Sequence, residues 1–211
     1  MIRLLTQSDK EKVMSYIGRN EIETSFLYAN VVEFGIENNP DIRRCADYYG
    51  FFEGEELRGI LPFYNLGSCI PHYERIEAVP YFAEIMRKRD FKYLLGMKKV
   101  VNPLYEEIKN YKEIVEFDES LYFVNKDFKP FTLEGVSFID AIGATDDEIV
   151  DFVLDARVKG FNEAATRESI NKLLSQRSKE EDFIIAQKDG KMVAQAGIQT
   201  YTPKVGQIGS V

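Results

Sequence analysis

The stretch from Asp182 to Val211, DFIIAQKDGKMVAQAGIQTYTPKVGQIGSV, constrains the fold more than any other part of this chain. An apolar run reaches Asp189-Gly190, a second follows it, Pro203 interrupts, and a third apolar segment ends the sequence. A tight turn closed by glycine between two such runs specifies a hairpin, because glycine takes the positive φ the turn demands without steric cost. A strand–turn–strand–strand meander is therefore expected here.

Upstream, the same order of elements is expected twice. Ile2–Leu5 is a strand candidate, and Ser8-x-x-Glu11 has the spacing of a capping box that opens a helix running to about Gly18. A second helix is expected from Glu21 to about Glu37, ended by Asn38-Asn39-Pro40. Residues 47–64 follow as a strand pair turning at Glu53-Gly54, then Gly67–Tyr73 as a further strand. The unit continues with a helix over Val79–Arg89, a strand over Phe91–Gly96 and a helix over Pro103–Lys109 capped by Asn102. Paired strands over Lys112–Phe117 and Ser120–Asn125 are expected to close it.

A second unit then repeats the opening. Ser137–Ile142 reads as a strand, and Thr145-x-x-Glu148 as a second capping box. The helix it opens has Ile149, Phe152, Val153 and Ala156 on one face. Thr166–Lys179 is the next helix, and the hairpin about Gly190 follows. Strand, helix, helix, hairpin, strand thus occurs twice, which implies an internal duplication. The expected organisation is a first domain over 1–125, a linker over 126–131 and a second domain over 132–211, in the α/β class with mixed (α+β) sheets.

Composition narrows the function classes. The 211 residues carry a formal net charge of −8, so a nucleic-acid-binding surface, which needs clustered Lys and Arg, is not expected. Hydrophobic residues make up 45%, enough for a sizeable core. The N-terminus MIRLLTQSDKEK has no apolar run of signal-peptide length and no segment approaches a membrane span, so a cytoplasmic protein without membrane association is expected. Cys45 and Cys69 lack metal-ligand or redox spacing, and neither a disulfide framework nor a metal site is expected. His72, the single histidine, has no carboxylate-and-nucleophile pattern near it and reads as structural. Arg87-Lys88-Arg89, at a helix end, reads as a complement to the helix dipole.

The closing meander and the doubled element order resemble the GNAT superfamily of N-acetyltransferases. Tyr93–Val124, YLLGMKKVVNPLYEEIKNYKEIVEFDESLYFV, resembles the closing half of the degenerate N-terminal domain in two-domain members. The resemblance implies tandem GNAT-like (acyl-CoA N-acyltransferase) domains, the second incomplete, and acetyl-CoA as co-substrate. It makes Ile208, Gly209, Ser210 and Val211 the cofactor-contact candidates, acting through backbone groups as an added strand would be held. It makes Phe161, Asn162 and Glu163, between the two helices of the second unit, the substrate-site candidates. The acceptor would be a small-molecule or peptide amine.

In the family, the phosphate loop Q/R-x-x-G-x-G/A follows that strand, and the general acid lies further on, so no catalytic residue is assigned within these 211 positions. The chain is accordingly expected to bind acetyl-CoA poorly, to lack turnover on its own, and to self-associate into a homo-oligomer or leave its second unit loosely packed. In the first unit, Glu74 and Glu77 follow the equivalent strand where a pyrophosphate would need cationic or amide partners, so no coenzyme binding is expected there. The competing reading is a non-catalytic ligand-binding or interaction protein on the same scaffold.

Overall fold

The computed structural model describes residues 1–175 and 183–211, so residues 176–179 of the expected Thr166–Lys179 helix and Asp182 of the meander lie outside the described residues. The chain divides into two compact units, Met1–Val124 with Thr202–Val205, and Asn125–Tyr201 with Gly206–Val211. Both main sheets are antiparallel and packed by helices, a mixed α/β architecture compatible with the α+β class. No helix among the described residues is long and apolar enough to cross a membrane.

The first unit opens with β1 (Ile2–Leu4), a 3₁₀ turn (Gln7–Asp9) and α1 (Lys10–Ile17), then α2 (Glu21–Phe34). The cap of this first helix lies two residues before the expected Ser8 box. Asp9 accepts from the Thr6 amide at 3.0 Å and grips both guanidinium nitrogens of Arg3, at 2.7 and 2.6 Å. The Arg3 hydrogen bond outweighs burial and holds the Asp9 carboxyl down at about 2. An acid that serves the backbone and a cation together outcompetes a serine that can serve only the backbone.

β2 (Ala46–Glu53) and β3 (Glu56–Tyr64) form the hairpin about Gly54, whose φ is +61°. The expected single strand Gly67–Tyr73 is instead two, β4 (Ser68–Cys69) and β5 (His72–Tyr73), in different sheets. Pro71, which has no amide for a ladder, stands between them. The main sheet has the order β1-β2-β3-β5.

α3 (Ala78–Lys88) follows, then β6 (Tyr93–Leu94), shorter than expected and paired in parallel with β4. α4 (Lys98–Ile108) begins five residues before the expected start at Pro103 and contains it. Proline leaves the carbonyl four residues back without its usual donor. Here that is the Lys99 carbonyl, and the Tyr73 hydroxyl stands 3.4 Å from it while donating to the Val100 carbonyl at 2.9 Å.

One face of the sheet packs on α1 and α2 through Val13, Tyr16, Ile17, Leu27 and Val31. The other packs Phe51, Leu61 and Phe63 under Phe82, Met86 and Leu104 of α3 and α4. Lys112–Phe117 and Ser120–Asn125 form no strands, which corrects the expected closing pair; residues 113–133 carry no helix or strand and are exposed throughout.

The second unit contains β7 (Val136–Asp140), α5 (Asp147–Asp155), a π-helical turn (Ala156–Gly160) and α6 (Arg167–Ser175). It then has β8 (Phe183–Lys188), β9 (Lys191–Tyr201) and β10 (Gly206–Gly209). Its sheet has the order β10-β9-β8-β7, the same meander as β1-β2-β3-β5. The two hairpins match residue for residue. Glu53 pairs with Glu56 and Phe52 with Leu57, then Arg58 bulges and Gly59 pairs with Phe51. Lys188 pairs with Lys191 and Gln187 with Met192, then Val193 bulges and Ala194 pairs with Ala186. One bulge at one place in each hairpin keeps the inward sets of both in phase.

Candidate functional site

The second unit's site is built from the helix layer upward. Asp146, rather than the expected Thr145, caps α5 by accepting from the Glu148 amide at 2.8 Å. Val150 and Val153 then point into the core, with Ile149 and Phe152 packed beside them. The helix does not end cleanly. It widens into the π turn, in which the Phe161 amide reaches back to the Ala156 carbonyl at 3.2 Å. A π turn inserts a residue into the helical repeat and re-aims the side chains it carries.

Arg157 is the residue re-aimed. Its Nη1 donates to Glu163 Oε2 at 2.7 Å and its Nη2 to Ser210 Oγ at 3.3 Å, while its Nε is buried without a partner among the described residues. Ser210 lies just beyond the end of β10, and both it and Asn162 hold left-handed backbone, with φ of +57° and +53°. Non-glycine residues adopt that conformation at a cost, and such positions concentrate where the local geometry serves something besides packing.

Two groups of residues that the sequence pointed to separately are therefore joined. Glu163 and Ser210 are bridged by one guanidinium, with Asn162 adjacent in the chain. Phe161 is 39% exposed at the same turn. Of the four-residue strand expected at Ile208–Val211, only Ile208 and Gly209 belong to β10, opposite Ile198 and Gly197; Ser210 and Val211 leave the ladder. β10 pairs with β9 alone, so its outer edge is unpaired among the described residues. Gly209 has no room for a side chain, since the Gln199 side chain lies across it with Cγ 2.8 Å from where a Cβ would stand.

Arg157 and Gln195 were missed by sequence reasoning. Arg157 reads as one more surface cation in a helix, and only the π turn shows its aim. Gln195 did carry a signal, being a polar residue in the apolar run VAQAGI. It pairs with Ile185 on the helix-covered face, is 6% exposed, and neither its Oε1 nor its Nε2 has a partner among the described residues.

In the first unit, His72 is held within the core. Its Nδ1 is 2.7 Å from the Tyr16 hydroxyl, and its Nε2 is 3.6 Å from Glu23 Oε2. Burial lowers its pKa, opposed by the charges of Glu23 and Glu74. Glu74 is gripped by Arg19 at 3.0 Å and Arg58 at 3.1 Å. The run Arg87-Lys88-Arg89 is engaged by Glu107, Glu84 and Asp47 respectively. Cys45 and Cys69 are both buried thiols, and burial pushes the Cys69 pKa up. A hollow of about 310 Å³ beside α1, rimmed by Glu11, Lys12, Arg19, Glu55 and Glu56, gathers charges of both signs and no nucleophile paired with a base.

Compared with known proteins, the chain matches no protein-family model and no curated protein.

Proposed function

We propose that the chain is an N-acetyltransferase of the GNAT kind, with two GNAT-like units of which the second takes acetyl-CoA and an amine. The observation that carries this reading is Arg157, which ties Glu163 to Ser210 across the helix layer and the end of the meander. In this reading the unpaired edge of β10 offers backbone groups to the donor's amide-bearing arm, as a sheet edge accepts an added strand. The Glu163 carboxylate, one oxygen held by Arg157, attracts a cationic amine toward that edge. After losing a proton to solvent, the amine attacks the thioester carbonyl, whose developing charge is stabilised by a backbone amide near Ser210. The C–S bond then breaks, coenzyme A leaves as its thiolate and takes up a proton from solvent, and the new amide nitrogen gives up its extra proton. Glu74 of the first unit, engaged by two arginines, leaves that unit as scaffold.

Titration of acetyl-CoA into isotope-labelled protein tests this. The amide resonances of Ile208, Gly209 and Ser210 are expected to move, while those of His72 and Tyr73 stay in place. Arg157→Ala, which releases both partners, is expected to weaken the response about tenfold, equivalent to ~1.4 kcal/mol. Shifts centred on the first unit, or none at saturating ligand, would overturn the reading.

A further inference from the structure

His72 is the single histidine of the chain, and its imidazole stands between a phenol and a carboxylate that serve its two charge states differently. The Tyr16 hydroxyl lies 2.7 Å from Nδ1, and the carbonyl oxygens of Arg58 and His72 each lie 3.3 Å from that same hydroxyl. While the ring is neutral the hydroxyl donates to Nδ1, which leaves the ring hydrogen on Nε2, facing the Glu23 carboxylate. Once the ring is protonated the hydroxyl accepts from Nδ1 and turns its own hydrogen to one of the two carbonyls. Tyr16 therefore has a partner in both states, and the buried ring takes up a proton without orphaning its neighbour.

We propose that His72 is a proton-operated latch of the first unit: protonation draws Glu23 from Lys99 to the imidazolium, and α4 loses that ionic tie to α2. Glu23 Oε1 bonds Lys99 Nζ at 2.6 Å, whereas Glu23 Oε2 stands 3.6 Å from His72 Nε2, beyond hydrogen-bond reach. Solvent decides which cation wins when both are charged. The Lys99 side chain is 64% exposed and loses little by returning to water. The His72 side chain is 9% exposed, and a charge buried to that depth requires a counter-ion.

The other charged groups about the ring leave that role to Glu23. Glu74, just after β5, is shared by Arg19, which lies between α1 and α2, and Arg58 of β3, at 3.0 and 3.1 Å. Burial disfavours the charge of Glu23, but the hydrogen bond and charge of Lys99 outweigh it, so its carboxyl stays below the usual range and is ionised when His72 titrates. Burial lowers the proton affinity of His72, and Lys99 adds to this against the charges of Glu23 and Glu74, so the latch works on the acid side of about pH 6.5. The helix does not detach. Val100, Leu104 and Ile108 keep α4 in the core, and the Tyr73 hydroxyl holds the Val100 carbonyl at 2.9 Å. The first turn of α4 is the part set free.

The latch owes nothing to acetyl transfer, and its test uses the full chain with labelled His and Lys side chains, followed by NMR from about pH 8 to about pH 5. The single imidazole reports its own titration without ambiguity. In the wild-type protein the Lys99 side-chain resonances and the Val100 and Val101 amides are expected to move with the midpoint of the ring. At the acid end the Lys99 resonances should reach the position they already hold at about pH 8 in Glu23→Gln, where the ion pair is absent. Glu23→Gln is expected to lower the proton affinity of His72 about threefold, and Lys99→Met, which leaves Glu23 undivided, to raise it by a similar factor. Amide spectra that overlay on the wild type away from these residues confirm that both variants fold. A ring that titrates while the Lys99 resonances stay in place would overturn the proposal, as would a proton affinity that neither substitution moves. The imidazole would then be a packing group with no hold on Glu23.

Discussion

Gln195 occupies in the second sheet the position that Ile60 occupies in the first, two residues past the bulge in β9 and β3 respectively. Ile60 is completely buried among apolar neighbours, and Gln195 is buried nearly as deeply with both amide atoms unpartnered among the described residues. Replacing such a group by an apolar one of similar shape removes an uncompensated desolvation cost. Gln195→Leu is therefore expected to raise the unfolding free energy by about 1–3 kcal/mol. A denaturation series showing loss of stability would mean that the amide has a partner in solution.

His72 makes stability depend on pH. Its pKa in the fold lies below the unfolded value of roughly 6.5, so the unfolded chain takes up the proton first as pH falls. The contribution of the neutral, Tyr16-bonded imidazole is fully present above about pH 6.5 and declines below it, until the folded protein protonates too. Denaturant midpoints measured from pH 8 to pH 5 are expected to fall on the acid side, with a shallower slope in His72→Gln. A profile that stays flat, or rises as pH falls, contradicts the burial-dominated account.

Gly209 and Gln199 are expected to be coupled. A methyl at position 209 overlaps the Gln199 side chain, which must then leave its place across the strand. Gly209→Ala should cost about 1 kcal/mol alone, at the low end for overpacking because the obstructing group is a flexible side chain. In a Gln199→Ala background the cost should fall by at least half, and a double-mutant cycle of thermal stabilities measures the difference. Strictly additive effects would show that the two side chains do not compete for the same space.

The exposed segment in which the first unit ends and the second begins should be the first place a protease cuts. Residues 113–133 have no ladder or helix to protect them and present Phe117, Leu121, Phe123 and Phe128 at 70% exposure or more. Brief digestion with a chymotrypsin-like enzyme is expected to cleave at these positions before any site within α1–α4 or β7–β10. Initial cleavage inside either hairpin would place the weakest point elsewhere.

The sequence by itself determined those parts of the fold whose physics is local. Gly54 and Gly190 marked both hairpins because a two-residue turn needs positive φ wherever it sits. The apolar spacing in α5 likewise marked a helix with one buried stripe. The reading failed where partners distant in sequence made the decision. The first cap moved from Ser8 to Thr6, whose amide Asp9 serves together with Arg3, and Pro103 sits inside α4, where Tyr73, thirty residues upstream, meets the carbonyls that a proline leaves exposed. The apolar runs at 112–125 joined no sheet, although their composition alone favours strands. The candidate site divides in the same way. Glu163 and Ser210 could be named only as what the family resemblance implies, and with 47 residues between them in numbering nothing local says that they meet. Only the tertiary structure decided that, because a π turn's worth of extra helix points Arg157 at both.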